Sequence, residues 1–317
     1  MRMRPAPLRR QQGVAVITAL LLTTLAITIV TSLFWEQQVQ VRSIENQRMQ
    51  LQSEWIMRGA LDWAALILRE DTKYSSVDNL DEPWAIPLAE TRLDQYVDNG
   101  LEDADIADAA LSGGVSDAQA RYNLTNLCPG GTIDPAEVAA FERLLGNAQM
   151  DPALAQATAE VMAASLKKPE ATAANSGGQA VPQPVNLMQV DDLLAVPGFT
   201  PEMLDRLKDF VIFLPRAAPV NVNTAPAEVL AARISTLSLS DAAALVANRK
   251  TASYRDIADF SLRLQGKPLS VPANKLSVMT NYFLVNGKVR MSRARLETQA
   301  LIERNGSSTR LVWIRER

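Results

Sequence analysis

The chain has 317 residues, 47% of them apolar, with a net charge of −3 and no histidine. That size accommodates one domain with a large insertion or two modest domains, and the near-neutral balance offers no general attraction to nucleic acid or anionic lipid. Without histidine, Ser/His/Asp and Cys/His constellations and the HExxH zinc motif are excluded. No P-loop or G-x-G-x-x-G occurs and no pair of carboxylates stands out, so the chain reads as a structural and interaction protein and not as an enzyme.

At the N-terminus Arg2, Arg4, Arg9 and Arg10 precede Gln11-Gln12-Gly13, and Val14 to Trp35 carries no charge. A helix over this stretch spans the ~30 Å hydrocarbon layer, and the arginines keep the short leading side in the cytoplasm. The apolar run exceeds a secretory core of ~7–15 residues and has no small-x-small cleavage site before Glu36, so it is expected to remain as an anchor. A plain signal anchor is the alternative on composition alone.

The helical pattern continues to about Glu70, with no proline between residues 8 and 82. Ile44, Leu51, Trp55, Ile56, Leu66, Ile67 and Leu68 are expected to share an apolar face, with Glu36, Arg42, Glu45, Arg48, Glu54 and Arg58 largely away from it. A break near Gly59 is the alternative to one continuous helix. Residues 70–108 hold twelve Asp/Glu against Lys73 and Arg92. Asp98-Asn99-Gly100 with Glu102, Asp103 and Asp105 hints at oxygen ligands for a hard cation, but no complete ligand spacing is present, and the stretch reads better as a solvated acidic face.

Gly113-Gly114 opens a run that reads as strand over Ala118–Leu124, and Asn123, Thr125 and Asn126 read as a structural corner. Cys128 cannot form a disulfide within the chain and reads as a small buried apolar group. Asp134-Pro135 and Asp151-Pro152 each look like an N-cap followed by proline in an alanine-rich helical stretch that ends near Lys168. Residues 168–178 are low-complexity linker. Leu187–Leu207 reads as helix, a Pro197-Gly198 turn, and a helix capped by Thr200 with Pro201 at its first position. Val220-Asn221-Val222-Asn223-Thr224-Ala225-Pro226 begins a second helical unit that extends to Phe260. Near the C-terminus, Ala294, Leu296, Thr298, Ala300 and Ile302 alternate with polar residues as a half-buried strand. Arg304–Ser307 turns it and Leu311–Arg315 pairs back, with the arginines of these strands on a solvated face.

Four segments carry a resemblance. Gln11-Gln12-Gly13-Val14-Ala15-Val16-Ile17-Thr18 resembles the leader junction of type IV pilin-like proteins, and Arg121-Tyr122-Asn123-Leu124-Thr125-Asn126-Leu127 matches a family segment in type. Val196-Pro197-Gly198-Phe199-Thr200-Pro201-Glu202, together with the Asn221-Val222-Asn223-Thr224-Ala225 segment, is similar to the K subunits of type II secretion systems. The resemblance implies cleavage by prepilin peptidase after Gly13, leaving Val14 as the mature N-terminus. It makes Thr18 the fifth mature residue, where most pilin-like proteins carry a glutamate and K subunits do not. It implies a minor pseudopilin in the inner membrane, single-pass, with its bulk in the periplasm, partnered by the I and J subunits in a tip complex that initiates or caps the pseudopilus. It also implies calcium, although the Trp-Ile-Asp-rich acidic element associated with it is missing here, so no cofactor is assigned.

The expected fold is α+β: a prepilin leader (1–13), a transmembrane (14–35) and periplasmic (36–70) spine helix, and a pilin-like region (71–127) completed by C-terminal strands (276–317). Between the two parts of the antiparallel sheet lies an inserted all-α domain of two helix-hairpin-helix or sterile-alpha-motif-like units, 128–218 and 219–275. One alternative is a membrane-anchored DNA receptor. Over 186–280, however, ten Lys/Arg meet nine Asp/Glu, and Leu237-Ser238-Leu239-Ser240 stands where a phosphate-gripping glycine hairpin belongs, so no nucleic acid is expected. A minor pilin of a type IV pilus is the other alternative.

Overall fold

The computed structural model describes residues 12–93, 109–166, 186–292 and 294–316. The leader arginines, the Asp98–Asp105 cation hint and the 168–178 linker lie outside the described residues.

A single helix, α1 (Gln12–Asp71), runs unbroken through Gly59. At 1.5 Å per residue it is about 90 Å long. Its second half lies on a five-stranded antiparallel sheet of β1 (Leu88–Arg92), β2 (Ala110–Asp117), β7 (Tyr282–Met291), β8 (Ala294–Asn305) and β9 (Ser308–Glu316), in that spatial order. Two early strands thus pair with three late ones, and everything between β2 and β7 is inserted into the sheet.

The face that α1 presents to the sheet differs from the expected one. Met49, Ser53, Met57, Leu61, Ala64 and Leu68 are buried, spaced by three and four residues. Leu61, Ala64 and Leu68 form a core with Trp84, Phe283, Val285, Ala300 and Ile302, and Trp84 meets Phe283 edge-on at 5.2 Å between ring centroids. Of the expected set only Leu68 is buried, whereas Ile44, Leu51, Trp55 and Leu66 are exposed on the other side. The stripe was obscured because it contains Ser53, whose hydroxyl is satisfied within the helix by Met49 O at 2.9 Å.

The early strand also falls before its expected place. β2 ends at Asp117, and residues 118–127 form two 3₁₀ turns flanking a two-residue strand, β3 (Tyr122–Asn123). This is the expected corner, but its bonds are long-range as well as local. Asn123 Oδ1 accepts from Leu214 N, Thr125 Oγ1 donates to Leu214 O, and Asn126 exchanges bonds with the backbone of Ala218 in both directions.

The inserted region carries α2 (Pro135–Asn147), α3 (Ala153–Leu166), α4 (Pro201–Leu207), α5 (Ala227–Arg233), α6 (Leu239–Arg249) and α7 (Ile257–Leu262). Short strands β4 (Val211–Ile212) and β5 (Val220–Asn221) pair in parallel with β3 and with β6 (Leu276–Ser277), tying the region to its entry and exit. Asp134 caps α2 and Thr200 caps α4, as their positions before proline predict. The segment before Pro197 is a 3₁₀ helix, Val190–Ala195. Cys128 is buried in the apolar cluster of this region beside Leu124, Leu127 and Phe141.

Alternation along β8 holds only in part: from Ala300 to Arg304 every residue is buried. Arg304, expected in the turn, lies instead in β8 and is enclosed because this end of the strand lies against the C-terminal end of α1 and the loop around Asp78.

Candidate functional site

α1 is the helix among the described residues that is long and apolar enough to cross a membrane. Gly13 and Val14 lie in its first turn. The Thr18 hydroxyl donates to Val14 O and Ala15 O, each at 3.0 Å, so this side chain brings no charge and satisfies its polarity within the helix. Thr23, Thr24, Thr28 and Thr31 do the same, which keeps the segment compatible with hydrocarbon.

Beyond the membrane segment, α1 keeps a second apolar stripe opposite the sheet. Ile44, Leu51, Trp55 and Leu66 follow one another at spacings of seven, four and eleven residues, which returns them to one side of the helix. Trp55 is 68% exposed and Trp63, on the flank of this stripe, 51%. A groove of about 360 Å³ continues the apolar surface from Trp63 and Ile67 over Ile86, Pro87 and Leu111. Clustered exposed apolar residues of this kind mark sites of association more often than scattered ones do.

Two groups of charged side chains face inward. Arg304 bonds Asp71 Oδ2 at 2.9 Å, Asp78 and Thr280 O, and its guanidinium lies 4.6 Å from the Phe283 ring centroid. Asp71, Asp78 and Glu82 place carboxylate oxygens within 4.8 Å of one another, the kind of group that could hold a metal ion. Here Arg304 already supplies the cation to two of them, and Trp84 Nε1 donates to Glu82 at 2.7 Å. Burial pushes the Asp71 and Glu82 carboxyls up. These residues therefore fit an internal clasp better than a divalent site.

A second buried group sits where the chain enters and leaves the inserted region. The Asp117 carboxylate accepts from Gln119 N, Thr280 Oγ1, Asn221 Nδ2 and Thr224 Oγ1 at 2.5 to 2.8 Å. Burial raises its pKa to about 6 against the opposing effect of these donors. Asn221, Val222, Asn223 and Thr224 are all buried, and Arg249 donates to the carbonyls of Val222, Thr224 and Ala225. This segment is folded into the core and offers no phosphate grip. Sequence reasoning overlooked Asp117, Arg304 and the Met49–Leu68 stripe; the buried acid and arginine carry no local signal, because their partners are remote in the chain.

A membrane-anchored spine helix, a sheet that covers one side of it, and an exposed apolar stripe on the other define a pilin-like assembly subunit. Two family profiles described as type II secretion system (T2SS), protein K, match residues 120–216 and 220–279, which contain the corner, the Pro-Gly turn and the Asn-Val-Asn-Thr-Ala segment. The type II secretion system protein K of Pseudomonas aeruginosa is 27% identical, the alignment covering 97% of this chain and 93% of that protein. The corresponding protein of Aeromonas hydrophila is 24% identical, with 97% of each chain covered. A solved structure described as the GspK-GspI-GspJ complex from enterotoxigenic Escherichia coli includes a chain of the same fold, with a TM-score of 0.67 and 21% identity, covering 86% of this chain and 98% of that one. Over these two segments, and along nearly the full length of the relatives, the chain is similar to protein K of type II secretion systems.

Proposed function

We propose that this chain is a minor pseudopilin of a type II secretion system that is cleaved after Gly13, stays in the inner membrane with its bulk in the periplasm, and joins the I and J subunits of its own system in a tip complex that initiates or caps the pseudopilus. The observation that carries this reading is the set of exposed apolar residues Ile44, Leu51, Trp55 and Leu66 on the side of α1 that the chain's own sheet leaves uncovered. Thr18 supports the end position: with its hydroxyl returned to the backbone, it has no charge for the N-terminal ammonium of a subunit ahead of it. The relative solved with GspI and GspJ supports the choice of partners. No cofactor, no catalytic activity and no nucleic acid enter this reading, and calcium is left out because Arg304 already pairs with both Asp71 and Asp78.

The test is co-expression with the prepilin peptidase and the I and J subunits, followed by N-terminal sequencing and detergent co-purification. A start at Val14 that is lost on Gly13 substitution, with I and J retained, is expected. An intact Met1, or a chain recovered without either subunit, overturns the reading.

A further inference from the structure

A cleft of about 630 Å³ opens between α1 and the end of the sheet nearer the membrane segment. That end is the β7–β8 hairpin, because Met291 and Ala294 pack with Met49 of α1, whereas the other end of β8 reaches Asp71 through Arg304. The sheet-facing side of α1 continues from Met49 to Arg42, two turns nearer the membrane. Arg42 from α1 and Arg295 from β8 bring guanidiniums to the cleft, Gln50 an amide, and Glu316 of β9 a carboxylate. Arg233, Arg263, Arg304 and Arg310 each hold a carboxylate of their own. Among the described residues, Arg42 and Arg295 are exposed and form no ion pair or hydrogen bond. Residues 288–296 also carry Lys288, Arg290, Arg293 and Arg295 without an acid, a local excess that the net charge of −3 conceals.

Height above the bilayer decides what reaches this cleft. Trp35 ends the uncharged run, and Arg42 stands ~10 Å beyond it along the helix. The headgroup layer extends roughly 5–7 Å past the hydrocarbon, so the remaining gap is shorter than the Debye length of ~8 Å. A helix tilt of ~20° toward the sheet lowers the hairpin further.

We propose that this cleft takes the phosphate headgroup of an anionic phospholipid from the leaflet out of which α1 emerges. Two guanidiniums against one carboxylate leave it positive, and each guanidinium presents a planar fork of donors that matches phosphate oxygens. Because the arginines stand on two different elements, a headgroup held by both ties the base of the sheet to the membrane surface and fixes the tilt of the spine. The inference uses the membrane anchor of the reading above and none of its filament partners. An acidic side chain of another protein would meet the same charges, but headgroups stand within reach of an anchored chain at all times.

The test reconstitutes the full chain in nanodiscs of equal parts phosphatidylcholine and phosphatidylglycerol and reads the retained lipids by native mass spectrometry after detergent extraction. The retained ratio of phosphatidylglycerol to phosphatidylcholine is expected to fall about fivefold or more in the Arg42→Gln/Arg295→Gln variant, the scale set by basic residues at an anionic surface. Arg42→Lys/Arg295→Lys keeps both charges and is expected to stay near the wild-type ratio. Lys250→Gln/Arg255→Gln, an equal loss of charge on the inserted region, is expected to match the wild type. An unchanged ratio in the glutamine pair overturns the site, as does an equal fall in the lysine pair or in the inserted-region pair. A lower urea midpoint for the glutamine pair also overturns it, because the arginines would then serve the chain's own fold. Loss of co-purified protein partners from the glutamine pair at an unchanged lipid ratio would make an acidic protein the occupant. If alkaline carbonate extracts the wild-type chain from membranes, the anchor reading falls and the headgroup site with it; an anchored chain whose lipid ratio ignores both arginines loses the site alone.

Discussion

Glu137 shows how one side chain can hold a fold with little apolar surface of its own. It is 1% exposed, accepts from Arg233 Nη2 at 2.9 Å, Lys275 Nζ at 2.6 Å and Tyr122 OH at 2.9 Å, and thereby ties α2 to α5, the corner and the exit segment. Burial pushes its carboxyl up, but Arg233 and Lys275 outweigh burial and hold it below the usual range. Its stabilisation is therefore present at neutral pH and is lost as pH falls through the depressed folded value. Glu137→Gln strands a buried guanidinium and is expected to cost about 3–5 kcal/mol, read from urea unfolding of the detergent-solubilised chain. A loss below 1 kcal/mol would show that Arg233 finds other partners. Thr18 works by absence. Thr18→Glu is expected to insert into the membrane, since a carboxylate near a helix end costs less than the ~2.5–3.5 kcal/mol of the bilayer centre. If the missing charge sets the filament position, crosslinking should find the variant inside the filament as well as at its end; unchanged location and secretion would refute that role.

Helices and turns here divide their duties by face. α1 spends one stripe, Met49 to Leu68, on the sheet and leaves Ile44, Leu51, Trp55 and Leu66 exposed on the other side, so its amphipathicity is hard to read as one periodic signal. The Pro197-Gly198 turn before α4 depends on backbone conformation: Gly198 has φ +108°, and a Cβ there would lie 2.7 Å from Leu154 Cδ2 on α3. Gly198→Ala therefore meets both strain and a clash, and a loss of roughly 1–3 kcal/mol is expected in the same unfolding measurement. No change would mean that α3 and the turn move apart freely.

Across the whole molecule the sheet and the inserted helices are joined by buried polar groups. Asp117 closes β2 and binds Asn221, Thr224 and Thr280, while Arg304 joins the end of α1 to Asp78 and Thr280. The Asp117 pKa, raised to about 6 by burial, exceeds an unfolded value of ~3.9, so the native state holds this proton more tightly. The sign follows: this group's contribution to stability is greatest below the unfolded value and is lost as pH rises through the folded one. From pH 7 to pH 5 the wild type is expected to gain about 1 kcal/mol relative to Asp117→Asn, measured as the difference between their urea midpoints at each pH. Parallel pH profiles would place the titration elsewhere.

What the sequence by itself determined is the part that local chemistry controls: the uncharged run and spine helix, the caps at Asp134 and Thr200, the corner at Asn123, the alternation in the first half of β8, and a helical region placed between early and late strands. These are legible because helix capping, period-two patterning and hydrocarbon thickness act over a few neighbouring residues. Only the tertiary structure decided which side of α1 meets the sheet, where β2 ends, and that Arg304 is buried. Each depends on groups far apart in the chain, such as Arg304 with Asp71 and Asn126 with Ala218, whose desolvation and pairing are settled only once the fold brings them together. The exposed stripe lies between the two: its residues were visible as apolar, but that they face away from the core follows from the sheet having taken the opposite side of the helix.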